Sequence, residues 1–223
     1  MQIPLFKPQT EWVKPEKFPD LTNRQEVAID LETSDPDLKT RGSGSVIGNG
    51  KVVGIAVATE DYKGYFPFDH EGGGNLEKSK VIQWLKDLCK SSSLKIFHNA
   101  MYDVCWIRAM GIEIKGDIVD TMIAASLINE NRMRYDLNSL GREYIGYGKN
   151  EAALIAGAKE WGIDPKAEMW RLPAMYVGDY AERDAEVTYQ LWKKLKRELS
   201  NQDLESIFEL ESDLFPCLVD MKF

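Results

Sequence analysis

The feature that most constrains this chain is the pair Asp30 and Glu32, which follows the apolar run Val27, Ala28 and Ile29. The run predicts a buried β-strand, and residues two apart on a strand point to the same face. Two carboxylates on one face raise each other's pKa unless a cation or a proton compensates. Oxygen ligands suit Mg²⁺ or Mn²⁺ rather than zinc. The pair indicates a divalent-metal site, although a chain with 36 acidic residues also contains such pairs by chance.

The composition is that of a globular protein with one large domain or two small ones, since 43% of the 223 residues are hydrophobic and 29% are charged. No apolar run approaches roughly 18 residues and no secretory leader is evident, so we expect an intracellular protein without membrane contact. Cys89, Cys105 and Cys217 are widely spaced, which predicts reduced core thiols. The net charge of −8 argues against a broad grip on duplex nucleic acid, but not against a metal site that holds a few nucleotides.

The first quarter of the chain predicts an arm, a strand, a loop and a hairpin. Residues 1–24 contain four prolines, which favour an extended arm over the domain. Residues 33–50 are rich in turn formers and predict a long loop. The β-rich runs 51–59 and 62–68 predict a hairpin that pairs with the first strand, so the sheet is expected to be mixed.

Further along, turn and capping residues set the expected boundaries of several short elements. These are a helix capped by Asn75 that ends at Cys89, a strand over residues 94–98, a last strand over residues 112–114, and a helix that starts at Asp117 or Asp120. Helical pieces are expected over residues 137–170, where Asp136, Asn138 and Lys149 are predicted to lie on solvated faces.

Two more polar pairs are spaced to suit helices. Asn99 and Asp103 are four apart in a helix that follows a strand, and Tyr180 and Asp184 are four apart in a helix over residues 178–199. That spacing places each pair on one helix face. Capping by Asn99 and a favourable helix-dipole position for Asp103 are an equally good explanation of the first pair. Agreement among the three pairs predicts a shared cluster at the carboxyl edge of the sheet, made of Asp30, Glu32, Asp103, Tyr180 and Asp184.

The three pairs lie in motifs that resemble those of a known family: Asp30-Leu31-Glu32-Thr33, Asn99-Ala100-Met101-Tyr102-Asp103 and Tyr180-Ala181-Glu182-Arg183-Asp184. In these motifs, their order and their spacing, the chain resembles the tyrosine branch of the DEDD 3′→5′ exonucleases. Phe66-Pro67-Phe68 and Tyr176-Val177-Gly178-Asp179-Tyr180 further resemble the proofreading domain of phage or bacterial family A DNA polymerases. The resemblance covers residues 18–200.

The resemblance implies an α/β, RNase H-like fold with a central mixed five-stranded sheet flanked by helices. It divides the chain into an extended N-terminal arm at 1–24, a 3′→5′ exonuclease domain at 25–200, and a helix at 201–223 that resembles the start of a polymerase domain that the chain lacks. It also implies action in the cytoplasm of a bacterium or a phage-infected host cell.

The implied activity is proofreading: hydrolysis of single-stranded or frayed DNA 3′ ends to nucleoside monophosphates, with a linked or associated DNA polymerase domain as partner. Two divalent cations, Mg²⁺ or Mn²⁺, about 3.5–4 Å apart would serve as cofactors. By motif, Asp30 bridges the ions, Glu32 and Asp184 hold the ion that activates water, and Asp103 supports the second ion.

The same motifs give roles to three further residues. Tyr180 would orient the attacking water, because a phenol with an ordinary pKa near 10 is a poor base at neutral pH. Thr33 and Asn99 would contact the terminal nucleotide.

Two rival functions remain open. One is an RNase D-like exonuclease that trims RNA 3′ ends, since nothing in the motifs reads the 2′-hydroxyl. The other is a catalytically silent scaffold domain of a polymerase. Phe66, Tyr102 and Tyr135 are candidate stacking residues for bases, with core packing as the alternative.

Overall fold

The protein was analysed as a computed structural model that describes residues 10–223. Its centre is a five-stranded sheet in the order β3-β2-β1-β4-β5. The strands are β1 (Glu26–Ser34), β2 (Lys51–Ala58), β3 (Lys63–Pro67), β4 (Leu94–Phe97) and β5 (Ile118–Asp120). β1 is antiparallel to β2 and parallel to β4, while β2 and β3 form the expected hairpin. The prediction of a mixed five-stranded sheet is therefore confirmed.

Eight α-helices are described around the sheet, and two short 3-10 helices precede α7. The α-helices are α1 (Gly44–Ile47), α2 (Lys78–Lys90), α3 (Ala100–Ala109), α4 (Thr121–Ile128), α5 (Leu137–Tyr144), α6 (Ala152–Trp161), α7 (Gly178–Asn201) and α8 (Glu205–Lys222). In the part of the chain that the structure describes, none of these helices has the length and apolar character needed to cross a membrane.

The two faces of the sheet are covered by different helices because side chains alternate along β1. Val27, Ile29 and Leu31 belong to the hydrophobic core that contains α2 and α3 residues. Ala28 points to the other core, which is formed with α4 to α7. Alanines on both surfaces, such as Ala56 on β2 and Ala181 and Ala185 on α7, are fully buried where α7 crosses the sheet. Small side chains on both surfaces allow this close approach.

The described part of the N-terminal segment lies against the domain. The Trp12 indole nitrogen donates to Glu182 Oε1 at 2.9 Å, and Trp84 donates to the Pro19 carbonyl at 2.8 Å. The Phe18 ring stacks on Phe66 at 5.6 Å between centroids. Residues 10–24 contain no helix or strand, whereas residues 1–9 of the predicted arm lie outside the described residues.

Two predicted boundaries are wrong. α2 begins at Lys78 rather than after Asn75, because the Asn75 side chain is already engaged with the backbone of His70: it accepts from the N–H and donates to the carbonyl, both at 2.8 Å. Residues 112–114 are not a strand. The chain turns at Gly116, where φ is +76°, and only then runs beside β4 as β5.

The expectation of three core thiols also fails in part. Cys89 and Cys105 are buried, but Cys217 is exposed because it lies on the outer side of α8.

Asp120 connects β5, α3 and α4. It is the N-cap of α4, as one of the two sequence alternatives predicted, and its Oδ1 accepts from Met122 N at 2.8 Å. The same carboxylate accepts from Asn99 N at 2.9 Å and from Ala100 N at 2.7 Å. These bonds satisfy N–H groups at the starts of two helices at once. Asp120 therefore sets the position of the amino end of α3, which carries Asp103.

We expect Asp120→Ala to lower the free energy of unfolding by about 2–4 kcal/mol, because three N–H groups lose their acceptor. Asp136→Ala is a matched control, since Asp136 caps α5, which has eight residues like α4. Its side chain accepts only one backbone N–H, from Ser139. Its loss should cost about 1 kcal/mol. Urea unfolding followed by circular dichroism measures both. Equal losses in the two variants would contradict the bridging role of Asp120.

Candidate active site

Asp30 and Glu32 lie near the end of β1 on the face that α7 covers. Their cross-strand neighbours on β2 are Ala56, whose side chain is a methyl group, and Gly54, which has none. A Cβ atom on Gly54 would lie 2.1 Å from the Tyr65 hydroxyl oxygen, so the Tyr65 ring occupies the space that glycine leaves. Glu32 is 5% exposed and Asp30 is partly exposed.

Thr33 follows the carboxylates at a break in the strand register. Glu32 pairs with Gly54 but Thr33 pairs with Val52, so β2 has one extra residue at this point. Such bulges redirect the side chains that follow. The Thr33 hydroxyl lies 2.6 Å from the Tyr102 hydroxyl, which donates to Asp35 Oδ2 at 3.2 Å. Thr33 is thus held at the rim of the carboxylate cluster.

Asp103 reaches the same place from α3. Its Oδ1 accepts from the backbone N–H of Leu31 at 3.1 Å, and the side chain is 4% exposed. Asn99 directly precedes α3 with φ of +65°, a left-handed conformation that Asn adopts more readily than most residues. Its side chain is exposed and makes no capping bond to α3. The capping explanation of Asn99 is therefore wrong.

Tyr180 and Asp184 come from the first turns of α7. Their spacing of four residues places them on one face, and they are 9% and 2% exposed. Since α7 crosses β1 and β2 at the alanines described above, that face meets the end of β1. The two pairs predicted on separate elements therefore face each other.

All four carboxylates have raised pKa values. Burial, and then the charge of Asp184, raise the pKa of Asp30 to about 7. Burial and the neighbouring carboxylates, Asp30 first, raise the pKa of Glu32 well above its ordinary value, and burial and Asp30 do the same for Asp103. The pKa of Asp184 is also raised, because loss of hydration outweighs its attraction to Lys149. Each member of the cluster is costly in its charged form.

Lys149 is the site residue that sequence analysis missed. Its ammonium nitrogen lies 2.5 Å from Asp184 Oδ2 and 3.2 Å from the Tyr180 hydroxyl. Its side chain is 23% exposed rather than solvated as predicted. Lys149 lies in the loop between α5 and α6, and no periodic pattern in the sequence relates that loop to α7. Asp136 and Asn138, predicted to be solvated in the same way, act as the α5 cap and as the acceptor for the Lys149 N–H.

The cluster has the donor chemistry for divalent cations. Glu32 Oε1 and Asp184 Oδ1 are buried with no hydrogen-bond partner among the described residues. Buried carboxylate oxygens without a donor indicate a site that a cation can satisfy. In residues 10–223 as they stand, however, no three acidic, histidine or cysteine side chains are gathered closely enough to hold an ion. Asp184 is turned towards Lys149 instead.

The candidate stacking residues divide between core and site. Phe66 is fully buried and packs on Trp84 at 4.2 Å between centroids, so it belongs to the core. Tyr102 is half-buried beside Thr33, and Tyr135 is half-buried with its hydroxyl donating to the Asn129 carbonyl.

In EDTA, we expect Asp30→Asn to be more stable than the wild type at pH 8. The folded-state pKa of Asp30 is raised from 3.8 to about 7, so the stability that its protonated form contributes is present below pH 3.8 and is lost as the pH rises through 7. The asparagine cannot acquire this charge. The gain should be about 1–3 kcal/mol, or several degrees in melting temperature, and should vanish near pH 4.

Asp69→Asn is the control for this pH series. Burial acts to raise the pKa of Asp69, but the hydrogen bonds and charges of Lys51 and Lys78 together hold it below its ordinary value of 3.8, so its charged form stabilises the fold. This variant should be less stable than the wild type at pH 8, and the loss should fade only as the pH falls below 3.8. A lower melting temperature for Asp30→Asn at pH 8 would contradict the repulsion inferred for the cluster.

Comparisons with known proteins identify the family of this chain. A sequence model of the 3′-5′ exonuclease family matches residues 15–200. A DNA-directed DNA polymerase of Pseudomonas phage M6 is 37% identical over 230 residues, which cover all of this chain and 35% of that protein. The DNA polymerase DpoZ of Salmonella phage PMBT28 is 30% identical over 91% of this chain and 31% of that protein. The chain thus spans about a third of the length of these relatives.

Solved structures agree on the fold. Brucella melitensis NrnC with bound Mg²⁺ superimposes with a TM-score of 0.64 over 91% of this chain and 87% of that chain, at 18% identity. Trypanosoma brucei RNase D gives a TM-score of 0.54 over 77% of this chain and 57% of that chain, at 17% identity. The RNase H-like fold that the motifs implied is confirmed. The chain belongs to the 3′-5′ exonuclease family that phage and bacterial DNA polymerases carry.

Proposed function

We propose that this chain hydrolyses single-stranded or frayed DNA 3′ ends to nucleoside monophosphates by a two-metal-ion mechanism that depends on Mg²⁺ or Mn²⁺. The observation that supports it is the cluster of four buried or half-buried carboxylates, each with a raised pKa, at the end of β1. Such a concentration of negative charge destabilises a fold, and is typical of a site built for function.

The cations would be held by Asp30, Glu32, Asp103 and Asp184. Their donor oxygens are all carboxylates, which suit hard cations, and two of them lack a protein partner among the residues described. Bound divalent cations supply charge that stabilises the phosphate and leaving oxygen and lowers the pKa of water. The charge of Asp30 raises the pKa of Glu32, and the charge of Asp184 raises the pKa of Asp30. A carboxylate with charged neighbours from both β1 and α7 would suit a position shared by two ions.

Tyr180 would orient the attacking water rather than deprotonate it. Burial and the charge of Asp184 raise its pKa well above the ordinary value for a phenol, so the hydroxyl keeps its proton at neutral pH. A protonated hydroxyl on a buried, rigid helix is suited to fixing the direction of a water molecule. Lys149 donates to the Tyr180 oxygen and limits its rotation.

The terminal nucleotide would contact Thr33 and Asn99. Thr33 follows Glu32 opposite the bulge in β2, and Asn99 lies at the exposed start of α3, four residues before Asp103. Tyr102 contacts the Thr33 hydroxyl and offers a ring for a terminal base, whereas Phe66 is enclosed in the core.

RNA is the second candidate substrate. RNase D shares the fold, and a fold alone does not distinguish RNA from DNA. DNA is favoured because the curated relatives are DNA polymerases. A catalytically silent scaffold is disfavoured, since all four carboxylates and Tyr180 are present. The relatives also support action in the cytoplasm of a bacterium or a phage-infected host cell.

The partner would be a linked or associated polymerase domain, and α8 is the surface that fits it. The outer face of α8 exposes Ile207, Leu210, Leu214, Leu218 and Met221, whereas its inner face buries Phe208, Phe215 and Val219. A helix that is apolar on two sides needs a second contact. The proposed organisation is an arm at 1–24, an exonuclease domain at 25–200 and a polymerase-associated helix at 201–223.

In a nuclease assay, the wild type with Mg²⁺ or Mn²⁺ should shorten a 3′-tailed DNA oligonucleotide one nucleotide at a time. Asp30→Ala and excess EDTA should each reduce the rate by about 10³-fold or more, because charge stabilisation by the cations is lost. Asp69→Ala, a surface carboxylate, should retain the activity. Equal activity in the Asp30 variant would contradict the site, and faster degradation of a matched RNA would favour the RNase D-like function.

The docking surface is tested with the polymerase part of the Pseudomonas phage M6 relative, added as a separate protein. We expect the wild-type chain to associate with it in sedimentation velocity, and the double variant Leu210→Ser, Leu214→Ser to lose this association while its nuclease activity is retained. Glu209→Gln, also on α8, is the control. Association that survives the double variant would contradict docking at the outer face of α8.

A further inference from the structure

The contact of Lys149 with Asp184 lies outside the exonuclease motifs. We propose that Lys149 is an internal counter-ion, whose ammonium group neutralises Asp184 and opposes a divalent cation that binds there. The inference rests on the proposed metal-dependent function. It makes Lys149 a competitor of the metal for the charge of one carboxylate, as well as a positioning residue for Tyr180.

The geometry supports competition between two cations for one carboxylate. Lys149 Nζ lies 2.5 Å from Asp184 Oδ2, while the other oxygen of that carboxylate has no hydrogen-bond partner in the described structure. Asp184 is 2% exposed, so its charge has little access to water. A buried charge of this kind requires a partner. An ammonium group and a divalent cation can each neutralise this carboxylate.

The loop between α5 and α6 holds the backbone of Lys149 in place. Its backbone N–H donates to Asn138 Oδ1 at 3.2 Å. A Cβ atom on the preceding Gly148 would lie 2.1 Å from the same Asn138 oxygen, so only glycine permits this loop contact. The ammonium nitrogen also lies 5.1 Å from the centre of the Tyr180 ring, which favours a cation. The side chain therefore has a fixed approach to α7.

The charges around Lys149 explain why metal binding has a cost. Its ammonium nitrogen forms an ion pair with Asp184, so a cation that binds this carboxylate meets a charge of the same sign. The Tyr180 hydroxyl lies 3.2 Å from the ammonium nitrogen, so Lys149 has a second partner when it moves away from Asp184.

The test is the affinity of the metal-stripped protein for Mn²⁺, measured by isothermal titration calorimetry. Lys149→Met should bind Mn²⁺ about tenfold more tightly than the wild type, because no ammonium group beside Asp184 repels the incoming cation. Its melting temperature in EDTA should be lower, since Asp184 loses its counter-ion, and Mn²⁺ should raise that temperature more than in the wild type. Lys149→Arg keeps the charge and should bind Mn²⁺ like the wild type.

Lys63→Met is the matched control for net charge. Lys63 pairs with Glu186 on α7 at 3.0 Å, but this ion pair is at the surface. Its removal should change the Mn²⁺ affinity by less than about twofold, because surface charges are screened. If Lys149→Met does not fold in EDTA, Lys149→Gln gives the same comparison with a polar side chain.

The outcomes separate this inference from the proposed function. In the nuclease assay, the half-saturating Mn²⁺ concentration should fall in Lys149→Met while the maximal rate also falls, because Tyr180 loses its donor. If Lys149 only stabilised the fold, its replacement would weaken Mn²⁺ binding. Weaker or unchanged Mn²⁺ binding in both Lys149→Met and Lys149→Gln would overturn the counter-ion role. Absence of Mn²⁺ binding by the wild type would instead overturn the proposed function.

Discussion

The mutual repulsion of four carboxylates at the end of β1 is the constraint on which the site depends. Asp30, Glu32, Asp103 and Asp184 come from three elements, and burial makes each negative charge more costly than it is in water. The fold offsets this cost locally, with one backbone N–H for Asp103 and one ammonium group for Asp184. Two oxygens remain without a protein donor in the described residues. The cluster is therefore incomplete as a structural unit and suited to cations.

Small residues make the cluster geometrically possible. Ala28 and Ala56 on the sheet belong to the same buried core as Ala181 and Ala185 on α7, so the helix lies close enough for its polar face to meet the strand end. A larger side chain at any of these positions would separate α7 from β1 and with it Asp184 from Asp30. Asp120 performs the equivalent task for α3 by hydrogen bonding rather than by size. The precise placement of the carboxylates thus depends on residues outside the cluster.

Local periodicity in the sequence predicted the shared faces of the polar residues and the mixed sheet. Spacing of two on β1 and of four on α3 and α7 predicted which face each polar residue shares, and the mixed sheet followed from the hairpin and the strand-to-helix pattern. Predictions failed where another contact took the place of the expected one. Asn75 bonds to the backbone of His70 instead of capping α2, and Cys217 lies on the exposed side of α8 instead of in the core. Of the two alternatives for Phe66, core packing is correct, since its ring packs against Phe18 and Trp84.

The sequence by itself determined the hairpin, the mixed character of the sheet and the three family motifs that contain the acidic and tyrosine residues, because each of these depends on spacing within one strand, helix or motif. Only the tertiary structure decided that Lys149 belongs with them. Its loop reaches α7 through Asn138 and Gly148, and the approach of a charge from 35 residues away along the chain leaves no local pattern. The physical reason is that short-range periodicity records which face a residue occupies, whereas the pairing of buried charges depends on how separate elements pack in space.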